Sequence, residues 1–155
     1  AFEEKLPAPD GCDVIRFLMS ANVGEDLRPI SKIASGGELS RIMLAMKTVL
    51  SAGEQGMSAV FDEVDAGVSG RAAQRVAEKL QTMAKVRQVL CITHLPQIAA
   101  VADGHLLIAK TEREGRTFTK VTPLDREGRK REIARIIGGA VITETTLASA
   151  EEMLK

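Results

Sequence analysis

Four segments of the chain carry hydrophobic patterns that predict its central elements. Residues 38–50 (ELSRIMLAMKTVL) are apolar on nearly every side, which predicts a helix inside the protein. Residues 70–84 instead predict an amphipathic helix with a single apolar stripe, formed by Ala73, Val76, Ala77, Leu80 and Met83. Residues 58–61 (SAVF) and 88–93 (QVLCIT) show no polar alternation, as is typical of buried parallel strands.

Weaker patterns predict the remaining elements. In the N-terminal part they predict a polar lead-in over 1–11, a strand over 12–21 and a loop over 22–37. After residue 94 they predict a short helix over 95–102 and then strands over 105–110 and 117–124, joined by the turn EREGR. Two helices follow, over 126–137 and 143–154, separated by Gly138 and Gly139.

The order of these elements predicts an α/β fold with a mostly parallel sheet and crossover helices. A chain of 155 residues fits a single domain, 1–155. In such sheets, ligands bind at the carboxyl ends of the strands. Asp62 and Glu63 follow one predicted strand and His94 follows the next. The sequence therefore predicts a functional site where these strands end.

The amino-acid composition argues against several classes of ligand and partner. Lys plus Arg and Asp plus Glu each number 21, so the net charge is zero, and the chain lacks the basic excess typical of proteins that bind DNA phosphates. No Trp or Tyr is present to stack on unpaired bases. Cys12 and Cys91 are predicted to be reduced thiols of a cytoplasmic protein rather than zinc ligands. No apolar stretch is long enough to predict a membrane span.

Ser35-Gly36-Gly37-Glu38 precedes the predicted helix 38–50 and forms the first candidate motif. Two glycines let the backbone approach a ligand closely, and free N–H groups at a helix start favour a phosphate. Ser35 can donate its hydroxyl to the same ligand. An ordinary capped turn would have the same sequence, so this motif alone does not define a site.

Asp62, Glu63 and His94 form the second set of candidates. An Asp at the end of a buried strand is the Mg²⁺ ligand of P-loop ATPases, and an adjacent Glu can orient or deprotonate the attacking water. A histidine at the next strand end can contact a γ-phosphate. The alternative is a pair of carboxylates capping a loop and a structural histidine. His105 lacks this context and is expected to be structural or exposed.

The three motifs occur in the order found in the C-terminal half of an ABC-type ATPase head. The runs KIASGGELSRIMLAMK, FDEVDAGVSGRAAQRVAEKL, QVLCITHLPQIAA and REIARIIGG resemble the RecN family of bacterial DNA repair proteins, which are related to SMC proteins. The resemblance covers residues 12–155. It implies ATP and Mg²⁺ as ligands, with the signature motif at Ser35, Gly36, Gly37 and Glu38, the Mg²⁺-linked Walker B carboxylate at Asp62, the catalytic glutamate at Glu63 and the switch histidine at His94.

One position departs from the wider superfamily. Many ABC-type heads carry an Asp six residues after the catalytic Glu, and this chain has Ser69 there. Ser69 is a good N-cap for the following helix. Asp65 lies nearby but occupies a different place in the motif, so the resemblance assigns it no role.

The sequence contains no GxxxxGK[ST], which would be the Walker A motif, and no long heptad segment. It also begins with Ala rather than Met. The resemblance therefore implies the C-terminal lobe of a head, inactive alone and completed by an N-terminal Walker A half. It further implies an ATP-driven head–head homodimer, DNA contact through the full-length protein, and a cytoplasmic, nucleoid-associated role in double-strand break repair and recombination.

Two alternatives stay open from the sequence. One is another ABC or SMC-type head, such as a Rad50-like head or that of a transporter, and the other is a non-catalytic module that binds DNA or a protein partner.

A basic run over 126–135 is interpreted as an exposed helix face, with Glu127–Arg131 as an ion pair and Lys130 beside Glu132. Contact of this run with DNA or with a partner head is the alternative. Ile133, Ile136 and Ile137 are predicted to dock this helix on the domain.

Overall fold

A computed structural model describes residues 2–9, 11–20, 23–33, 35–50, 57–113 and 115–154. The elements are, in chain order, β1 (Phe2–Ala8), β2 (Gly11–Ile15), β3 (Leu18–Met19), β4 (Arg28–Pro29), α1 (Ile30–Ile33), α2 (Gly36–Leu50), β5 (Ala59–Phe61), α3 (Gly70–Ala84), β6 (Val89–Cys91), α4 (Pro96–Ala100), β7 (Leu106–Arg113), β8 (Arg116–Pro123), α5 (Arg126–Gly138) and α6 (Glu144–Met153). Among these, no helix has the length and apolar character needed to cross a membrane.

The predicted parallel strands and their crossover helix are confirmed at β5, α3 and β6. The two strands pair in parallel, with Phe61 opposite Cys91, and the Ile92 N–H donates to the Phe61 carbonyl at 2.9 Å. All five residues of the predicted α3 stripe are buried. Four of them, Val76, Ala77, Leu80 and Met83, pack with Leu44, Phe61, Val64 and Ile98 in the main core. The other strand pairs of the described chain are antiparallel.

A second core joins α4, α5 and α6. It contains Ile133, Ala134 and Ala150, all fully buried, together with Ala99 and Ala100. Helices α5 and α6 end and begin close to the predicted bounds, and Gly139 terminates α5 with a φ of 75°, which favours glycine. Of the three isoleucines predicted to dock α5, Ile133 is buried, whereas Ile137 is exposed.

The N-terminal predictions are wrong in three places. The lead-in is strand β1, which pairs antiparallel with β2. The strand predicted over 12–21 is divided into β2 and β3, because the two parts pair with different partners. The loop predicted over 22–37 contains β4, α1 and the first residues of α2. Isolated glycines and prolines mark turns in this region, but short strands between them escape a pattern search.

Helix α2 is present as predicted. The prediction that it lies inside the protein is wrong for the described chain. Only Gly37 and Leu44 are buried, while Met43 is 42% and Val49 79% exposed. Strand β5 differs in the same way, since Val60 is 66% exposed. Apolar residues on these surfaces have no covering element in the described part of the chain.

The predicted hairpin is confirmed and is longer than expected. Strands β7 and β8 pair from Leu106 opposite Pro123 to Arg113 opposite Arg116. Residue 114, in the predicted turn, lies outside the described residues.

Candidate functional site

The first candidate motif begins helix α2 with a reciprocal capping box. The Ser35 N–H donates to Glu38 Oε2 at 2.9 Å, and the Glu38 N–H donates to Ser35 Oγ at 3.3 Å. Hydrogen bonding to the carboxylate from the Ser35 N–H, followed by that from the Ser35 hydroxyl, lowers the pKa of the Glu38 carboxyl. The N–H groups of Gly36 and Gly37 have no acceptor among the described residues, so the helix start keeps donors for an anion.

Helix α2 is fastened to the segment that follows β5, residues 62–66, which we call the 62–66 loop. Ser40 Oγ donates to the Asp62 carbonyl at 2.9 Å. The Arg41 guanidinium, through Nη1, donates to the carbonyls of Ala66 at 2.7 Å and Val64 at 3.4 Å. One turn of the helix thus binds the backbone of the loop at three points.

The two glycines of the motif lie directly against the same loop. A Cβ atom on Gly37 would lie 2.8 Å from Ala66 Cβ and 2.9 Å from the Ala66 carbonyl oxygen. A Cβ atom on Gly36 would lie 2.7 Å from Glu63 Oε2. Gly37 is therefore required by backbone packing, whereas Gly36 meets only the end of a flexible side chain.

Asp62 and Glu63 follow β5 at its carboxyl end, as the sequence predicts, and both side chains are exposed. The Glu63 N–H donates to Asp62 Oδ1 at 2.9 Å. Glu63 has a φ of 57°, the only positive value at a non-glycine residue in the described chain. Such a conformation costs of order 1–3 kcal/mol and often occurs at functional sites. It turns the Glu63 side chain toward Gly36.

Asp65 connects the 62–66 loop to the end of strand β6. Its Oδ2 accepts from Thr93 Oγ1 at 2.6 Å and from the His94 N–H at 2.9 Å, and lies 3.0 Å from His94 Nδ1. Burial alone would raise the pKa of this carboxyl, but the hydrogen bonds from Thr93 and His94 outweigh it and the pKa lies below its usual value. The sequence motifs gave Asp65 no role; its signal is an Asp on the loop directly after the strand end.

Three other residues are singled out in the sequence: Ser69, His105 and Cys91. Ser69 is the N-cap residue of α3 by its extended backbone, but its side chain makes no capping hydrogen bond. His105 is half-buried, and burial followed by the nearby Arg129 lowers its pKa. The thiol of Cys91 is held protonated, because burial, reinforced by Asp65 and Asp62, raises its pKa to about 11.

The basic side chains of α5 are engaged within the chain. The predicted pair Glu127–Arg131 is confirmed at 3.4 Å, but Lys130 binds Glu151 rather than Glu132, which instead pairs with Arg135. Arg129 donates to the carbonyls of Ala100, Ala102 and Asp103.

The carboxylate side chain of Asp62 suits a metal ion that binds together with the phosphates of a substrate. The described residues contain no group of three or more His, Cys, Asp or Glu side chains able to enclose a metal ion. Asp62 offers one exposed carboxylate, with Oδ1 accepting from Glu63 N–H. Mg²⁺ is usually held by one or two carboxylates together with water and substrate phosphates, and this arrangement fits it.

The fold has relatives among solved SMC structures. A structure of an SMC ATPase from work on ATP-driven dimerization and DNA-stimulated activation matches with a TM-score of 0.51 and 26% identity, over 76% of this chain and 70% of that one. An Smc head bound to the C-winged helix domain of ScpA matches with a TM-score of 0.52 and 28% identity, over 76% and 34%. The fold is thus an α/β lobe of the SMC-type ATPase head, as predicted.

Sequence similarity then identifies the relatives more closely. DNA repair protein RecN of Bacillus subtilis is 53% identical over 94% of this chain, and those of Treponema pallidum and Vibrio cholerae are 48% and 46% identical over 95%. The predicted resemblance to RecN is therefore confirmed over nearly the whole chain. The chain spans about a quarter of the length of these relatives. No family model matches it.

Proposed function

We propose that this chain is the Walker B and signature lobe of an ATPase head, in a protein that acts in DNA double-strand break repair and recombination. The observation that carries the proposal is the 62–66 loop, which touches all three candidate motifs. It bears Asp62 and Glu63, contacts Gly36 and Gly37 through Glu63 and Ala66, and holds His94 through Asp65. The similarity to RecN and to SMC heads supports the same assignment.

In this proposal each residue acts on a separate part of the reaction. Glu63 accepts a proton from the water that attacks the γ-phosphate, and His94 contacts the γ-phosphate oxygens as charge develops. Asp62 holds Mg²⁺, which neutralises charge on the β- and γ-phosphate oxygens when it is bound. All these residues belong to one lobe, so a single head supplies the water-activating half of its site.

Ser35, Gly36, Gly37 and Glu38 serve the opposite site in this proposal. Because the N–H groups of Gly36 and Gly37 have no acceptor in the described chain and the helix dipole is positive there, they suit the γ-phosphate of ATP bound to a second head. ATP then lies between two heads and binding favours the homodimer. ATP-driven dimerization belongs to the SMC relative and supports this proposal by analogy.

An N-terminal Walker A half is the proposed partner of the β5–β6 sheet. Val60, Leu90 and Ile92 lie on one face of this sheet and are 66%, 47% and 53% exposed, while α3 covers the other face. Parallel sheets are almost always covered on both faces. The remaining three quarters of the length of the RecN relatives is enough to supply that cover.

DNA contact is proposed to lie outside this lobe, in the full-length protein. The support is α5, the most basic helix of the described chain, whose cations bind Glu151, Glu127, Glu132 and backbone carbonyls. The site of action is proposed to be the cytoplasm at the nucleoid, by analogy with the RecN relatives, which are named as DNA repair proteins. A non-catalytic binding module is the competing function, and it predicts no hydrolysis in any form of the protein.

The proposal is tested by measuring ATP hydrolysis with the chain alone and with the chain joined to the upstream part of its own gene. We expect no turnover from the chain alone and DNA-stimulated turnover from the joined protein. Turnover by the chain alone would reveal a different nucleotide site and overturn the split-head proposal. The absence of ATP hydrolysis by a folded, joined protein would favour the non-catalytic binding module.

A further inference from the structure

The buried carboxylate of Asp65 contacts the exposed ring of His94, the proposed switch histidine. The Asp65 side chain is 4% exposed, whereas that of His94 is 72% exposed. The two belong to different strand ends, since Asp65 follows β5 and His94 follows β6. The contact between Asp65 Oδ2 and His94 Nδ1, at 3.0 Å, therefore spans the two strand ends that the candidate site uses.

The geometry around Asp65 is closed and leaves it little freedom. Its Oδ2 accepts from the Thr93 hydroxyl and the His94 N–H, and Thr93 Oγ1 in turn accepts from the Leu95 N–H at 3.0 Å. Buried hydrogen-bond networks rigidify the residues that they join. One side chain thus binds the backbone N–H of His94 and lies in contact with its ring.

A carboxylate accepts hydrogen bonds and, when ionised, does not donate them. In the neutral His94 ring, the contact with Asp65 Oδ2 at 3.0 Å therefore favours the hydrogen on Nδ1, and Nε2 then keeps its lone pair. The partner of one ring nitrogen sets the state of the other in this way.

We infer that Asp65 is a positioning residue for ATP hydrolysis, which fixes the orientation of His94 and keeps a hydrogen on Nδ1. Nε2 is then presented to the reacting groups, where it accepts from the attacking water in the neutral ring and donates to the phosphate oxygens when the ring carries both hydrogens. The inference rests on the proposed function. It adds a residue that touches neither nucleotide nor metal in that proposal and acts only through His94.

The test compares Asp65→Asn, His94→Ala and the double variant in the full-length protein, with Asp103→Asn as an exposed carboxylate control. Asp65→Asn is expected to lower kcat by about 10–100-fold, the usual effect of losing such a supporting partner, with KM for ATP unchanged. In the His94→Ala background the same change is expected to have no further effect. Independent, multiplying losses would overturn the inference, and so would wild-type turnover by Asp65→Asn.

A different outcome would contradict the proposed function. Wild-type turnover by His94→Ala would remove His94 from the reaction, whatever Asp65 does. A measurement on the unaltered protein covers the case in which Asp65→Asn does not fold: ring ¹⁵N shifts of His94 at alkaline pH, assigned by their absence in His94→Ala. We expect the Nδ1–H tautomer, and an Nε2–H ring would contradict the positioning role.

Discussion

The Arg41 guanidinium on helix α2 lies 2.7 Å from the Ala66 carbonyl oxygen, on the loop that follows strand β5. The same group reaches the Val64 carbonyl, and Ser40 binds the Asp62 carbonyl. Because the proposed signature motif, residues 35–38, begins this helix, a shift of α2 on binding a phosphate would move the 62–66 loop with it. The loop carries Glu63 and Asp65, so the two candidate sites on one lobe are mechanically joined.

Arg41→Ala is expected to weaken the contact between helix α2 and the 62–66 loop. Loss of a charged donor to two carbonyls costs about 1.5–3 kcal/mol of stability, and release of the loop lowers ATP turnover in the full-length protein. Thermal unfolding and steady-state kinetics measure the two effects. Arg75→Ala is the matched control, because Arg75 is 81% exposed and, among the described residues, pairs only with Glu78 on the surface, a contact worth less than about 1 kcal/mol. Equal effects of the two changes would contradict the proposed role of this contact.

The two glycines of the proposed signature motif are expected to respond differently to substitution by alanine. Gly37→Ala places a Cβ against the backbone of Ala66 and should cost about 1–3 kcal/mol, as overpacking usually does. Gly36→Ala meets only the Glu63 carboxylate, which can rotate away. Unfolding of the full-length variants by denaturant measures the difference. A greater loss of stability at Gly36 than at Gly37 would show that the described packing is wrong.

Glu63→Gln tests the proposed water-activating residue. The amide cannot accept the proton, so kcat is expected to fall by about 10²–10⁴-fold, while ATP binding is retained because Glu63 is not proposed to hold the nucleotide. Hydrolysis and equilibrium binding of ATP by the full-length protein provide the two measurements. Glu78→Gln on α3 is the control for loss of an exposed carboxylate. Normal turnover in Glu63→Gln would exclude Glu63 as the catalytic base.

Ser35→Arg tests the proposed use of the signature motif by a second head. The long cation occupies the space in front of the Gly36 and Gly37 N–H groups and is expected to abolish the ATP-dependent dimer. Light scattering of the full-length protein in the Glu63→Gln background, with and without ATP, measures it. Ser35→Asn keeps an N-cap acceptor and controls for loss of the capping box. An ATP-dependent dimer formed by folded Ser35→Arg protein would remove the assignment of residues 35–38.

The sequence allowed α3 and the strand ends to be predicted because their signals are local. The apolar stripe of α3 is contained in the helix's own sequence, and all five of its residues are buried. Asp62 and His94 stand at strand ends because short apolar runs precede them directly. In both cases the deciding pattern lies within a few residues of the element.

Other features depend on contacts that a local pattern does not contain. The apolar surface of α2 predicted an interior helix, but Met43 and Val49 are exposed in the described chain, and we propose that another part of the protein covers such surfaces. The role of Asp65 depends on a hydrogen bond to Thr93, 28 residues further on. The N-terminal strand β1 is likewise defined by its pairing with β2 rather than by its own composition.

Acid is expected to loosen the contact between α5 and α6. Hydrogen bonds from Arg126 at 2.8 Å and from Lys130 hold the pKa of the Glu151 carboxyl below its ordinary value. A carboxyl with a lowered folded-state pKa stabilises the protein above its unfolded pKa of about 4.3, and the contribution disappears as the pH falls through the lower folded value. The stabilisation by Glu151 is thus fully present at neutral pH.

Glu151→Gln removes this pH-dependent contribution. The variant is expected to have a lower Tm than the wild-type protein at neutral pH and to lose less Tm on acidification, so that the two curves converge below the folded pKa of Glu151. Calorimetry of the full-length protein across this range provides the measurement. Glu152→Gln removes the adjacent exposed carboxylate, which makes no ion pair in the described chain, and controls for the change in net charge. Parallel Tm curves for wild type and Glu151→Gln would mean that the pairs with Arg126 and Lys130 contribute nothing to stability.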